Sequence, residues 1–312
     1  MSRVALAAAV PFVAPSVTDV RPRRRRQIRR AAPGLLFIAP AAVIVLVFVV
    51  APIVSTVRLA LHDWDGFSLE RDFVGLVNFA ALFGDAAFWA ALVRNLLWIG
   101  VLLLAVGLGL AFALLLWSRP RGWVVFRTVY LIPEMIGPAI VGVVWLRLWQ
   151  PVNGGFAGIG QALGIPWLAS SPLADPALAI FVLLGVQLWI AVGFFVVVSL
   201  SGLQLVDTTL LDAALVDGAS RSQRIRYVVL PQMREHIGLM RMLALIAGLK
   251  AFDLVWVMTS GGPGNATQLV GTYAYSQAFA QQKFGYGAAL ACVVLVIALV
   301  LTAISGRSGR ER

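Results

Sequence analysis

Few side chains in this 312-residue sequence could do chemistry, and their spacing excludes most of it. His62 and His236 are the only histidines, so a paired-histidine zinc motif is absent. The single cysteine, Cys292, rules out an internal disulfide and a cysteine metal site, and its apolar setting fits a packed thiol. A phosphate-binding loop needs Gly-Lys-Ser/Thr, but the two lysines, Lys250 and Lys283, are followed by Ala251 and Phe284. No Gly-x-Ser-x-Gly nucleophile elbow occurs. The glycines between Asn153 and Gly160 lack a flanking strand–helix unit, which leaves them as an external turn rather than a nucleotide fingerprint. Catalytic residues and metal ligands are therefore both expected to be none. Both histidines are expected as surface side chains.

What remains is charge and aromaticity inside apolar sequence. Lys250 and Asp253 are three residues apart and would share one face of a helix. Intramembrane charges are functional candidates by default, so the pair could line a translocation path. It could equally be a self-neutralising pair near the outer interface. Glu134 and Arg147 flank one apolar run and read as interfacial. Trp89, Trp98, Trp117, Trp123, Trp145, Trp149, Trp189 and Trp256 mostly fall near the ends of apolar runs, as an interface belt does. Trp145 and Trp189 could instead stack on a sugar ring, and the sequence does not separate the two.

The elements that must hold these residues are membrane helices. Apolar residues make up 60% of the chain and charged ones 12%, with a mean hydropathy of +0.90. A soluble domain carries about 25% charge, so an ordinary globular enzyme, a disordered chain and a coiled coil are excluded. A crossing helix needs about 20 mainly apolar residues. Charge-free runs at 35–57, 96–118 and 284–306 meet this, and 176–206 can hold a tilted helix near 178–203. Two further runs, 130–149 and 237–258, carry charges. The chain is expected to be all-α, with six transmembrane helices.

Arginines orient the bundle. Eight precede the first helix, and Arg119, Arg121 and Arg127 follow the second. Arg221, Arg224, Arg226 and Arg234 follow the fourth, and Arg307, Arg310 and Arg312 end the chain. The alternate loops hold Arg58, Arg71 and Lys283 among several acids. Basic residues stay on the cytoplasmic side, which places both termini there. The same distribution accounts for the net charge of +11 without nucleic acid. Residues 1–34 read as a mostly disordered basic tail before an uncleaved first helix, 35–306 as the transmembrane domain, and 307–312 as a cytoplasmic tail.

The segment 207–232 between the fourth and fifth helices has helical signals of its own. Thr209 with Asp212, and Ser220 with Gln223, fit the capping-box spacing. Gly218 falls between the two short helices, where positive φ permits a sharp turn. Ala213, Ala214 and Ala219 offer a small-residue surface for close packing, and Pro231 would stop the second helix. From the residues alone this is either a docking element or a helical connector.

The run from Asp212 through Ala213, Ala214, Asp217, Gly218 and Ala219 to Ile225, Leu230 and Pro231 resembles the EAA loop of ABC importer permeases. Asp212 stands where that family has glutamate, and Glu235 where a second proline often follows. The segments 73–79, 126–133, 252–267 and 284–290 are similar to the carbohydrate-importer branch, which includes maltose and glycerol-3-phosphate permeases. The resemblance spans roughly residues 35–305 in order. It implies a type I importer permease fold in a bacterial inner membrane, and a sugar, polyol or glycerol-phosphate cargo.

It also implies the partners. These are a second permease chain forming a heterodimer, two cytoplasmic ATPase subunits gripping the EAA loops, an extracytoplasmic solute-binding protein and membrane lipid. This chain would bind no cofactor, and ATP and magnesium would belong to the partner ATPase. The alternative is an ATP-independent secondary transporter or channel, which has no need for the loop around Gly218. A membrane enzyme is disfavoured because no nucleophile–base pair or metal cluster is offered.

Overall fold

The computed structural model describes residues 37–117 and 121–308, and these are helical almost throughout. The expected tail 1–34, together with Arg119, Arg310 and Arg312, lies outside the described residues. Two compact units divide the chain between Ile53 and Val54, and all the packing described below belongs to the second.

The first long helix is α1 (Phe37–Ala60), followed by short α2 (Val77–Phe83) and by α3 (Ala86–Trp117). Helices α4 (Trp123–Ile136), α5 (Pro138–Leu148), α6 (Gly155–Leu163) and α7 (Pro166–Ala169) lead to α8 (Ala179–Leu203). Short α9 (Thr208–Val216) and α10 (Arg221–Arg224) precede α11 (Arg234–Leu249), α12 (Asp253–Thr259), α13 (Val270–Tyr275) and α14 (Phe284–Ser308). A two-residue antiparallel ladder, His62–Asp63 against Asp72–Phe73, closes the loop after α1.

Five stretches are long and apolar enough to cross a membrane: α1, α3, α8, the α11–α12 stretch Arg234–Thr259, and Phe284–Ile304 within α14. The expected helix at 130–149 is instead two helices, α4 and α5, because Gly137 takes φ +86° and Pro138 follows it. A left-handed glycine ends the first, and the fixed φ of proline suits the first turn of the second. With 11 residues, α5 is about 16 Å long, well short of the bilayer core.

Helix α3 begins ten residues before its charge-free run. The Asp85 side chain accepts from the Ala87 amide at 2.8 Å and caps it, and Arg94 and Asn95 had hidden this extension from a hydropathy reading. The main core packs α3 and α8 together with α11, α12 and Val141 of α5. Close approach is possible because Gly109 of α3 lies against α8, where a Cβ would sit 2.6 Å from that of Phe195. Small residues let membrane helices approach through van der Waals packing, since lipid is as apolar as leucine. Cys292 is buried beside Ala60, Ala288 and Ala289, as a packed thiol should be.

Candidate functional site

The membrane-embedded candidate is a cavity of about 310 Å³. Its wall mixes aromatic groups, Trp98, Phe194 and Phe252, with polar ones, Glu134, Gln187, Lys250 and Asp253. Lys250 and Asp253 do not share a helix face as expected. Helix α11 ends at Leu249, Lys250 is its cap, and a new helix starts at Asp253. Phe252, with φ −149° and ψ −60°, turns the chain between them. The interruption brings 250–254 to the cavity, and discontinuous helices of this kind form midplane sites in transporters. Glu134 also lines the cavity. Gln187 had no signal in the sequence beyond its chemistry.

Trp145 and Trp189 lie outside this lining. Their rings meet edge to face at 5.7 Å, and Trp145 packs on Phe156 at 5.8 Å. Arg147 is exposed in the last turn of α5. His236 is not a surface group. It is half-buried, its Nε2 lies 2.7 Å from the Val198 carbonyl, and Gly202 makes room for the ring. His62 holds the loop after α1 through Nδ1, 2.8 Å from the Arg58 carbonyl.

Asp85 joins three elements at the start of α3. Its Oδ2 accepts from the hydroxyls of Tyr273 and Tyr286, both at 2.6 Å. Burial pushes the Asp85 carboxyl up, but those two hydroxyls and the amides of Ala87 and Phe88 outweigh it. The net effect holds the group below the usual carboxylate range.

The second candidate is the loop 207–232. Asp207 caps α9 by accepting from the Thr209 amide at 2.8 Å, so the Thr209–Asp212 capping box expected there is displaced two residues upstream. Asp212, Ala213 and Ala214 lie on α9, with the first two exposed and Ala214 half-buried. Asp217 ends the helix, and Gly218 takes φ +77° in open space. The Gly218 amide donates to Leu215 and that of Ala219 to Ala214, at 3.1 and 2.9 Å, which satisfies the last carbonyls of α9. Ser220 and Gln223 form the expected capping box at the start of α10.

Pro231 does not stop the second helix. A π-helical turn, Ile225–Val229, widens the backbone just before it, and the Leu230 amide reaches back to the Ile225 carbonyl. Proline lacks the donor for a normal turn and crowds the carbonyl behind it, which a wider turn relieves. The helix breaks later, at Met233. The Asp207 amide donates to Gln232 Oε1 at 2.8 Å, tying the two ends of the loop together. Beneath them Val206, Val229 and Met233 pack on Ala113 and Leu203, with Ile225 and Leu230 half-buried alongside. Leu210, Leu215, Val216 and Tyr227 point outward, with Val216 88% exposed.

A firmly based, apolar-tipped loop on a bundle of apolar helices, with a cavity at a helix break whose mainly apolar wall carries a few polar groups, is the architecture of a multi-pass membrane transport subunit. No protein-family model matches the chain. It is 33% identical over 270 residues to a probable ABC transporter permease protein of Pyrococcus horikoshii, covering 86% of this chain and 92% of that one. It is 32% identical to the trehalose/maltose transport system permease protein MalF of Thermococcus litoralis, over 91% and 96% of the two chains. The sn-glycerol-3-phosphate transport system permease protein UgpA of Agrobacterium fabrum is 28% identical over 89% and 94%.

A crystal structure of a bacterial ABC transporter for alginate import superposes with a TM-score of 0.79 at 20% identity, covering 93% of this chain and 99% of that one. The same kind of transporter in complex with an alginate pentasaccharide-bound periplasmic protein gives 0.78. The chain belongs to the ABC transporter permease family. It is a membrane-spanning permease subunit, and the ATPase site lies elsewhere in such transporters.

Proposed function

We propose that this chain is half of the translocation path of an ATP-driven, binding-protein-dependent importer for sugars or related polyols and glycerol-phosphate compounds. The observation that carries this is the loop 207–232. Its base is hydrogen-bonded and packed, while Leu210, Leu215 and Val216 stand exposed around an open Gly218. A solvent-exposed apolar tip on a fixed base is what a force-transmitting contact needs. Asp212, Ala213, Ala214, Asp217, Gly218 and Ala219 form the docking face for an ATPase subunit. Ile225, Leu230 and Pro231 hold that face at its angle. A second permease chain supplies the other loop, two ATPase subunits bind ATP and magnesium, and an extracytoplasmic binding protein delivers cargo. This chain binds no cofactor itself.

In this reading α4 and α5 together make one broken crossing, which brings the crossings to six and puts both termini in the cytoplasm. Glu134, Gln187, Lys250 and Asp253 face the path. The alginate and trehalose/maltose systems named above support a carbohydrate cargo.

Right-side-out membrane vesicles test this against an ATP-independent carrier. Uptake from a sugar panel should require ATP trapped inside and added binding protein, and should survive a protonophore. Uptake driven by an ion gradient without ATP would overturn it. A cysteine at Ser222 should then label only from the cytoplasm and one at Ala266 only from outside.

A further inference from the structure

We infer that Asn95 is the positioning residue that sets the cavity wall, by clamping both ends of the excursion 249–269 onto α3. The functional weight of this rests on reading the cavity as the transport path, whereas the clamp itself is a matter of geometry. Asn95 is 1% exposed, one of the few buried polar side chains in a mainly apolar core. Its Nδ2 donates to the Gly248 carbonyl at 2.9 Å, and its Oδ1 accepts from the Val270 amide at 2.8 Å. Gly248 lies in the last turn of α11 and Val270 opens α13. Helix ends leave such groups short of helical partners: the Val270 amide has Asn95, and the Gly248 carbonyl has besides it only the Ala251 amide at 3.4 Å. One side chain therefore binds two helix ends that are 22 residues apart in sequence.

Between those ends lie Lys250, Ala251, Phe252, Asp253 and Leu254, all of them in the cavity wall. Two neighbours on α3 reinforce the clamp. The Arg94 guanidinium reaches the Gln268 carbonyl at 3.4 Å. One turn on, Ile99 packs so closely on Gly248 that a methyl there would lie 3.2 Å from the Ile99 Cα. Hydrogen bonds to a side chain on the central helix, rather than regular backbone pairing, thus fix where the helix break falls. Hydropathy alone does not reveal this, because a lone asparagine beside a long apolar run looks like the run's edge.

The test reads wall geometry without needing the cargo. In a Cys292→Ser background, Ala251→Cys reports on the wall and Ser222→Cys on the distant loop. Both are labelled in broken native membranes carrying the whole transporter, with a membrane-impermeant methanethiosulfonate. Asn95→Leu is close in size and should change the labelling rate at 251 by about tenfold, since it strands the buried Val270 amide and leaves the Gly248 carbonyl only the long bond from the Ala251 amide, at 3.4 Å. The rate at 222 should not move. Gly248→Ala, which pushes α11 off α3, should give the same signature and decides the matter if the leucine variant is poorly inserted.

Asn78→Ala is the control for a merely structural asparagine. It removes bonds to the Ala60 and His62 carbonyls, neither of which belongs to the cavity wall, and should leave both rates unchanged. An unchanged rate at 251 in Asn95→Leu and Gly248→Ala would overturn the proposal, as would an equal change in Asn78→Ala. Loss of uptake in the unmodified protein would sink the transport reading instead and leave the clamp standing.

Discussion

Two interruptions in the helical chain do opposite jobs. At 250–252 the break lines the cavity, and Asn95 and Ile99 of α3 hold it at Gly248, from outside its own sequence. At 217–220 the break is self-contained. Its backbone bonds, the left-handed Gly218 and the Ser220–Gln223 box all come from the loop, and nothing stands within 4 Å of a Cβ at Gly218. The first break is shaped by the protein around it, while the second is preformed and presented outward. A residue that places cargo must be fixed by the core. A surface that meets a partner must keep its shape while leaving its face free.

Glycine substitutions sharpen that contrast most. Gly248→Ala should lower the stability of the purified chain in detergent by about 1–3 kcal/mol, because the methyl has no room. Gly218→Ala should cost about 1 kcal/mol, from its positive φ alone. Thermal unfolding of the two variants side by side reads the difference, and equal losses would erase the distinction between the breaks. Next in size, Ser220→Ala removes the cap of α10 and should cost about 1 kcal/mol, seen as faster proteolysis within 207–232 and unchanged protection of the bundle.

The smallest effect belongs to Asp85. Tyr286→Phe removes one of its donors and should cost about 1 kcal/mol or less. The depressed Asp85 carboxyl contributes stability above the ordinary aspartate range, and that contribution is lost as pH falls through its folded value. Acidification below about pH 4 should therefore destabilise the natural protein more than Asp85→Asn.

The runs at 35–57, 178–203 and 284–306 were legible because no charged residue interrupts them. The loop was legible because capping and left-handed turns are local chemistry, as the Ser220–Gln223 box and Gly218 show. The misplaced cap at Asp207 and the π turn before Pro231 are also local, but each had a nearby competitor of equal merit. The break at Lys250 was not legible. It depends on Asn95, 153 residues before the Gly248 whose carbonyl it binds, and no window along the chain contains both. His236 was misread for the same reason, since the carbonyl it meets belongs to another helix.

The coupling role of the loop is tested most directly by Gly218→Trp in the whole transporter. The open space around Gly218 lets a large side chain stand outward, so the chain should still insert at near-normal levels. Uptake in ATP-loaded vesicles should be abolished, and ATP hydrolysis by the partner subunits should no longer respond to loaded binding protein. Ser222→Ala, an exposed neighbour, serves as the mild control. Normal uptake by the tryptophan variant would show that 207–232 is only a connector, and would contradict the account.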